Sequence, residues 1–291
     1  MSASDTSGRL PDFVIVGAMK AGTTSLSAWL REHPQVFVPQ QKELHFFDTF
    51  WSRGVDWYRS LFAGAPEGAL LGEATPNYMV IEHWVERMAS VVPDARLIAV
   101  LRHPVDRAWS HYRHSVTRGD ELRPLAEAID GERASDPQDW RSKGVLARGR
   151  YLEQLQVLTR FYDRARIHVS LFDDLKAEPT PFFASVCRFL GVDDGVTPSV
   201  VGEKFDPFDT DPAIVKRAGP REPRAAAPPS LTSVLRRGAA KILAPARRRR
   251  TAAQPDTVMP PEVRSALVEY FRPYNEELAR WLGRDLSSWN Q

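Results

Sequence analysis

Short β-branched runs alternate with amphipathic helical patterns along most of the chain, and this alternation limits the fold more than any other feature. "DFVIVG" reads as a buried strand and "TTSLSAWLREH" as the helix after it. "QVFVP" is a brief strand and "ALLGEATP" contains another. "IEHWVERMASVVP" reads as a helix, "ARLIAVLR" as a strand, and "PVDRAWSHYRHSVTRG" as a helix with Pro104 in its first turn. "GRYLEQLQVLTRFYD" is helical, "RIHVSLFDDL" begins as a strand, and "TPFFASVCRFLG" closes on Gly191 as a helix stop. Such alternation predicts an α/β chain of three layers, a central parallel sheet flanked by helices.

The rhythm fails from about Phe205 to Pro260, a stretch rich in Pro, Ala and Arg. Helical pattern resumes in "PPEVRSALVEYFRPYNEELARWLGRDL", with an interruption expected near Pro273. The simplest organisation is one domain over 1–291 carrying a basic insertion at about 205–260. Between Lys216 and Arg250 eleven Lys and Arg residues meet one acid, Glu222. Four readings of that run stay open: a solvated, partly disordered insertion, a basic amphipathic helix on an anionic membrane surface, a site for an acidic acceptor, or a cover over a bound anionic donor. No aromatic residues interleave with these charges, so no nucleic-acid partner is expected.

A 43% apolar and 26% charged composition is that of an ordinary globular protein. The single cysteine, Cys187, excludes a disulfide within the chain, and its apolar spacing makes it a buried helix residue. "MSASDTSGRLPD" lacks the charged and apolar regions of a secretion signal, and no stretch approaches the ~18 apolar residues of a membrane span. A cytoplasmic location is expected, with peripheral contact at the inner membrane face through 216–250 as the open alternative.

The loop "GAMKAGTTS" between the first strand and its helix almost spells a nucleotide-triphosphate P-loop, G-x-x-x-x-G-K-[ST]. Gly17 and Gly22 have the spacing and Thr24 fills the hydroxyl position, but Thr23 stands in the lysine slot and Lys20 sits inside the loop. The glycines allow the backbone and helix N-terminus to face an anion, while Thr23, Thr24 and Ser25 add hydroxyl donors. A kinase needs a metal-holding acid at a strand end. Here "ARLIAVLR" ends in Arg102, the opposite sign. The pair suits a P-loop-like fold whose ligand bears a second anionic group. No His/Cys cluster has metal-ligand spacing, so no metal is expected.

"GAMKAGTTSL", "KELHFFD", "GEATPNYM", "LIAVLRHPVDRAWSHYRHS" and "GRYLEQLQVLTRFY", in this order, resemble the PAPS-dependent sulfotransferases. The likeness is greatest to the branch with heparan-type glycosaminoglycan enzymes and their bacterial-type relatives. PAPS is adenosine 3′-phosphate 5′-phosphosulfate. The resemblance implies that the loop cradles the 5′-phosphosulfate through Ala21, Gly22, Thr23, Thr24 and Ser25, with Lys20 on the oxygen that leaves. It implies that Arg102 and Ser110 bind the 3′-phosphate, and that Glu43 is the general base. Phe46 and Phe47 beside Glu43 are expected to exclude water and raise its pKa. His45 is the rival base, or orients the acceptor, or packs; His103 is expected to be structural.

The chain departs from that pattern at Ala74, where heparan-type enzymes commonly carry a lysine on the acceptor side. Glu73 and Asn77 are candidates to line the acceptor pocket. The late glycine–basic loop is not identifiable; Lys204, Arg217, Arg221 and Arg224 are its candidates. The implied reaction moves a sulfuryl group from PAPS to a hydroxyl or amine of a carbohydrate, glycolipid or other small acceptor. Two alternatives stand beside it: a Mg-ATP-dependent small-molecule kinase, and a non-catalytic basic membrane-binding protein on a P-loop scaffold.

Overall fold

Phe13–Gly17 (β1) is buried along its whole length, as a central parallel strand covered on both faces must be. The computed structural model describes residues 8–135, 144–199 and 256–291. In it β1 leads to Thr23–Glu32 (α1), Val36–Phe37 (β2), Gly54–Ser60 (α2), Leu70–Ala74 (β3), Glu82–Val91 (α3) and Arg96–Leu101 (β4). Pro104–Thr117 (α4), Leu125–Arg133 (α5), Tyr151–Phe161 (α6), Ile167–Leu171 (β5), Phe172–Ala177 (α7), Pro179–Leu190 (α8) and Pro261–Leu282 (α9) follow. Every strand and helix read from the sequence is present.

The strands form one five-stranded sheet in the order β2-β3-β1-β4-β5, parallel throughout. β1 therefore lies in the middle, and the chain reverses its direction of growth there. Its C-terminal edge is a topological switch point, where open α/β sheets place ligands. The register is set by close packing: Phe13 lies opposite Gly72, and a Cβ at Gly72 would run into the Phe13 ring.

The interruption expected near Pro273 does not occur, and α9 runs through it. Pro273 removes one amide donor, a cost of about 3 kcal/mol in a helix interior. The turns on either side bury Leu267, Val268, Phe271 and Leu278. At about 1.5–3 kcal/mol for each buried side chain, packing outweighs the lost bond. Cys187 is buried in α8, and burial pushes its thiol up to about 11. Most of the expected basic insertion lies outside the described residues, as do Lys204, Arg217, Arg221 and Arg224. No described helix is long and apolar enough to cross a membrane.

Candidate active site

The C-terminal ends of the strands carry the predicted residues. β1 runs into the loop with Lys20, Ala21 and Gly22; β2 leads to Glu43; β4 ends at Arg102. A cavity of about 370 Å³ opens at the opposite edge, lined by Asp12, Leu70 and Arg96 among others, and holds none of them.

Gly22 is the N-cap of α1 with φ 85°, and no side chain caps that helix. Its first turn carries no acidic residue either, so the amides of Thr23, Thr24 and Ser25 and the positive end of the helix dipole lack an anionic partner within the helix. A Cβ on Gly22 would lie 2.9 Å from the Phe172 ring, and one on Gly17 would run into the Met79 sulfur. Both glycines are thus needed for close packing, and Gly22 for its backbone as well. Arg102 Nη1 donates to the Lys20 carbonyl oxygen at 3.1 Å, and its guanidinium carbon stands 4.9 Å from the Phe172 ring centre. Tyr151 holds the Arg102 carbonyl through its hydroxyl at 2.7 Å. Ser110 is largely buried on α4. Its helical spacing places it on the face of Arg107 and His114. His103 caps that helix by accepting from the Val105 amide, the structural role expected of it.

The Glu43 carboxylate meets Lys42 Nζ at 3.4 Å and His45 Nε2 at 3.3 Å. His45 turns its other nitrogen to Asp48, with Nδ1 2.9 Å from Oδ2. Burial alone would lift the Glu43 carboxyl, but the His45 hydrogen bond and the Lys42 charge outweigh it and hold it at about 2. The expected upward shift is therefore reversed. Phe46 and Phe47 turn into the core, where Phe46 stacks on Tyr58 at 4.4 Å and Phe47 meets Tyr78 edge-on at 5.1 Å. Burial would likewise lower His45, yet Asp48 and Glu43 raise it to about 10.

Among the described residues, the non-glycine positions with positive φ are Lys20, Glu43 and His45. Each such conformation costs about 1–2 kcal/mol. The two buried phenylalanines next to Glu43 and His45 each return about 1.5–3 kcal/mol, enough to hold the loop in place. Further support comes from below. The Thr75 and Tyr78 hydroxyls donate to the Glu73 carboxylate at 2.6 and 3.3 Å. The same hydroxyls accept from the His45 and Phe46 amides at 3.4 and 2.8 Å. Glu73 and Asn77 are only 1% and 2% exposed, and they brace the 43–48 loop from beneath through Thr75 and Asp48.

Lys20 of the β1 loop and Glu43 both act on one residue of α4. Burial and the Lys20 charge hold His114 of α4 down at about 4, against the pull of Glu43. The segment 144–150 is tied to α4, α5 and the turn after β3. Glu132 accepts from the Val145, Leu146 and Ala147 amides, Arg107 donates to the Gly144 and Val145 carbonyls, and Arg148 reaches Asn77. Asp48 and Arg148 were not singled out by the sequence reading. The spacing of Glu43, His45 and Asp48 in "ELHFFD" was the available signal for the first. Arg148 carried none, standing among many arginines.

The Sulfotransferase domain family matches residues 10–204, the stretch that contains all five strands and the residues described above. Heparan sulfate glucosamine 3-O-sulfotransferase 6 of Homo sapiens is 28% identical over 280 residues, covering 95% of this chain and 73% of that protein. The bifunctional heparan sulfate N-deacetylase/N-sulfotransferase 2 of Homo sapiens is 29% identical over 304 residues; the match covers 99% of this chain but only 32% of that protein. A sulfotransferase from Alicyclobacillus acidocaldarius, known from its crystal structure, superposes with a TM-score of 0.70 at 26% identity, over 97% of this chain and 100% of that one. The chain belongs to the sulfotransferase family and is a sulfotransferase enzyme.

Proposed function

We propose that the protein moves a sulfuryl group from PAPS to a hydroxyl, or an amine, of a carbohydrate, glycolipid or other small acceptor by in-line transfer. The observation that carries this reading is the convergence at one sheet edge. An uncapped helix N-terminus tied to Arg102 follows β1, and Thr75 joins β1 to the Glu43–His45–Asp48 cluster, donating its amide to Ile15 O at 3.1 Å and accepting the His45 amide at 3.4 Å.

The donor's two anionic ends suit the residues present. The Gly22 cradle and the amides of Thr23, Thr24 and Ser25 would hold the 5′-phosphosulfate, while Arg102 and Ser110 would hold the 3′-phosphate. In the transfer, the bond from sulfur to the phosphate oxygen breaks as the acceptor oxygen bonds to sulfur. The acceptor proton passes to Glu43, and adenosine 3′,5′-bisphosphate leaves with its charge beside Lys20. A carboxylate at about 2 is fully ionised at neutral pH but is a weak base. It takes the proton late, once the acceptor oxygen has given electron density to sulfur. Preorganised positive groups around the leaving phosphate supply the larger share of the rate.

Both human relatives are named for heparan sulfate, which supports a carbohydrate acceptor here. Ala74 is apolar and 5% exposed, so no cation is offered at that point of the β3 edge. This favours an acceptor less anionic than heparan sulfate. The test is release of adenosine 3′,5′-bisphosphate from PAPS across a panel of sugars, glycolipids and amines. Acceptor-dependent release, cut about 100-fold in Lys20→Ala, is expected. Turnover of Mg-ATP with PAPS left intact would overturn the proposal.

A further inference from the structure

Behind the Glu43–His45 pair lies a buried polar chain to which the transfer reading gives no task. The Asp48 side chain is 1% exposed, and its Oδ2 receives both His45 Nδ1 at 2.9 Å and Asn77 Nδ2 at 2.6 Å. On its other side the Asn77 amide accepts at Oδ1 from Arg148 Nη2 at 2.8 Å. Asn77 and Arg148 are both buried. An amide thus separates a buried guanidinium from a buried carboxylate.

The chemistry of the three groups fixes their order. A guanidinium can only donate and an ionised carboxylate can only accept. The amide therefore satisfies both neighbours in one orientation, with oxygen toward Arg148 and nitrogen toward Asp48. If the amide were absent, the guanidinium and the carboxylate would face each other directly. A forked, charge-assisted pair of that kind outcompetes a single imidazole contact. Asp48 would then turn from His45 toward Arg148.

We propose that Asn77 is a positioning residue for sulfuryl transfer: its amide pins Asp48 against His45 and keeps the buried Arg148 guanidinium from capturing that carboxylate. This rests on the reading of Glu43 as base. Asp48 then holds His45 with Nδ1 occupied and Nε2 turned to Glu43, so the orientation of the base is set from beneath. The charged groups acting on the imidazole are Glu43 and Asp48 of its own loop and Glu73 of β3; Lys42 pairs with Glu43, and Arg148 lies beyond Asp48.

The test follows the His45 imidazole by NMR titration in the full chain with labelled histidine, alongside calorimetric binding of adenosine 3′,5′-bisphosphate. Asn77→Ala is expected to lower the His45 pKa by about one unit or more, with bisphosphate affinity within about twofold of wild type. Arg148→Met alone is expected to move it little. The double variant Asn77→Ala/Arg148→Met is expected to return toward the wild-type value, because the competing cation is gone. An unmoved His45 in Asn77→Ala, or a double variant displaced further than the single, overturns the proposal. Where Asn77→Ala does not fold, Asn77→Ser keeps a donor for Asp48 and is expected to shift His45 less than one unit; a larger shift counts against the pinning role. Failure of the wild type to bind the bisphosphate would overturn the donor reading, and the His45 titrations would still decide this one.

Discussion

Arg102 Nη1 donates to the carbonyl oxygen of Lys20 across 3.1 Å, joining the end of β4 to the loop after β1. The cation at the strand end thus also fixes the loop that presents the lysine. Phe172, at the start of α7, packs under both: its ring lies beneath the Arg102 guanidinium and beside Gly22. Sheet order brings these parts together, since β4 is the neighbour of β1 on one side and of β5 on the other.

Gly22→Ala tests that cradle. The new Cβ would meet the Phe172 ring at 2.9 Å from a backbone held at φ +85°. Strain of about 1–3 kcal/mol is expected, either lowering the melting temperature or opening the loop. Binding of adenosine 3′,5′-bisphosphate should weaken about 10-fold or more by calorimetry. Wild-type affinity together with an unchanged melting temperature would mean that the close approach carries no weight.

Glu43→Gln tests the proton acceptor. The isosteric amide keeps the shape of the loop but cannot take the acceptor proton. Turnover should fall by about 10²–10⁴-fold while bisphosphate affinity stays near wild type. A comparable loss in both quantities would place Glu43 in donor binding.

The Glu43–His45 pair also makes a statement about stability. His45 is raised from 6.5 to about 10, so its contribution is complete below about pH 6.5 and is lost as pH climbs toward 10. Glu43 is lowered from 4.5 to about 2, so its contribution is complete above about pH 4.5 and is lost as pH falls toward 2. The pair is strongest between these limits. Urea unfolding should show wild type losing stability between pH 6.5 and 9, and His45→Asn should follow a flatter profile over that range. Parallel profiles would remove His45 from the account.

Much of this was legible in the chain. β1 and β4 are continuous apolar runs because both faces of a central parallel strand are covered. The glycine loop is visible because Gly17 leaves room for the Met79 sulfur and Gly22 holds a positive φ. Arg102 stood out through its sign at a strand end. The charge state of Glu43 was not legible, because it depends on where Lys42 and His45 point and on Phe46 and Phe47 turning inward. Asn77 and Arg148 lie 71 residues apart in sequence and meet only in the fold. Pro273 misled for a related reason: local propensity announces a break, while the buried face of α9 decides against it.

The central claim is that the β1 loop and Arg102 form a site for a nucleotide with two anionic ends. Calorimetry of adenosine 3′,5′-bisphosphate against 5′-AMP and Mg-ATP, on wild type and Arg102→Ala, tests it most directly. The account predicts a strong preference for the bisphosphate, lost in Arg102→Ala because the 3′-phosphate then has no guanidinium to meet. Equal binding of 5′-AMP, or a preference for Mg-ATP, would contradict it.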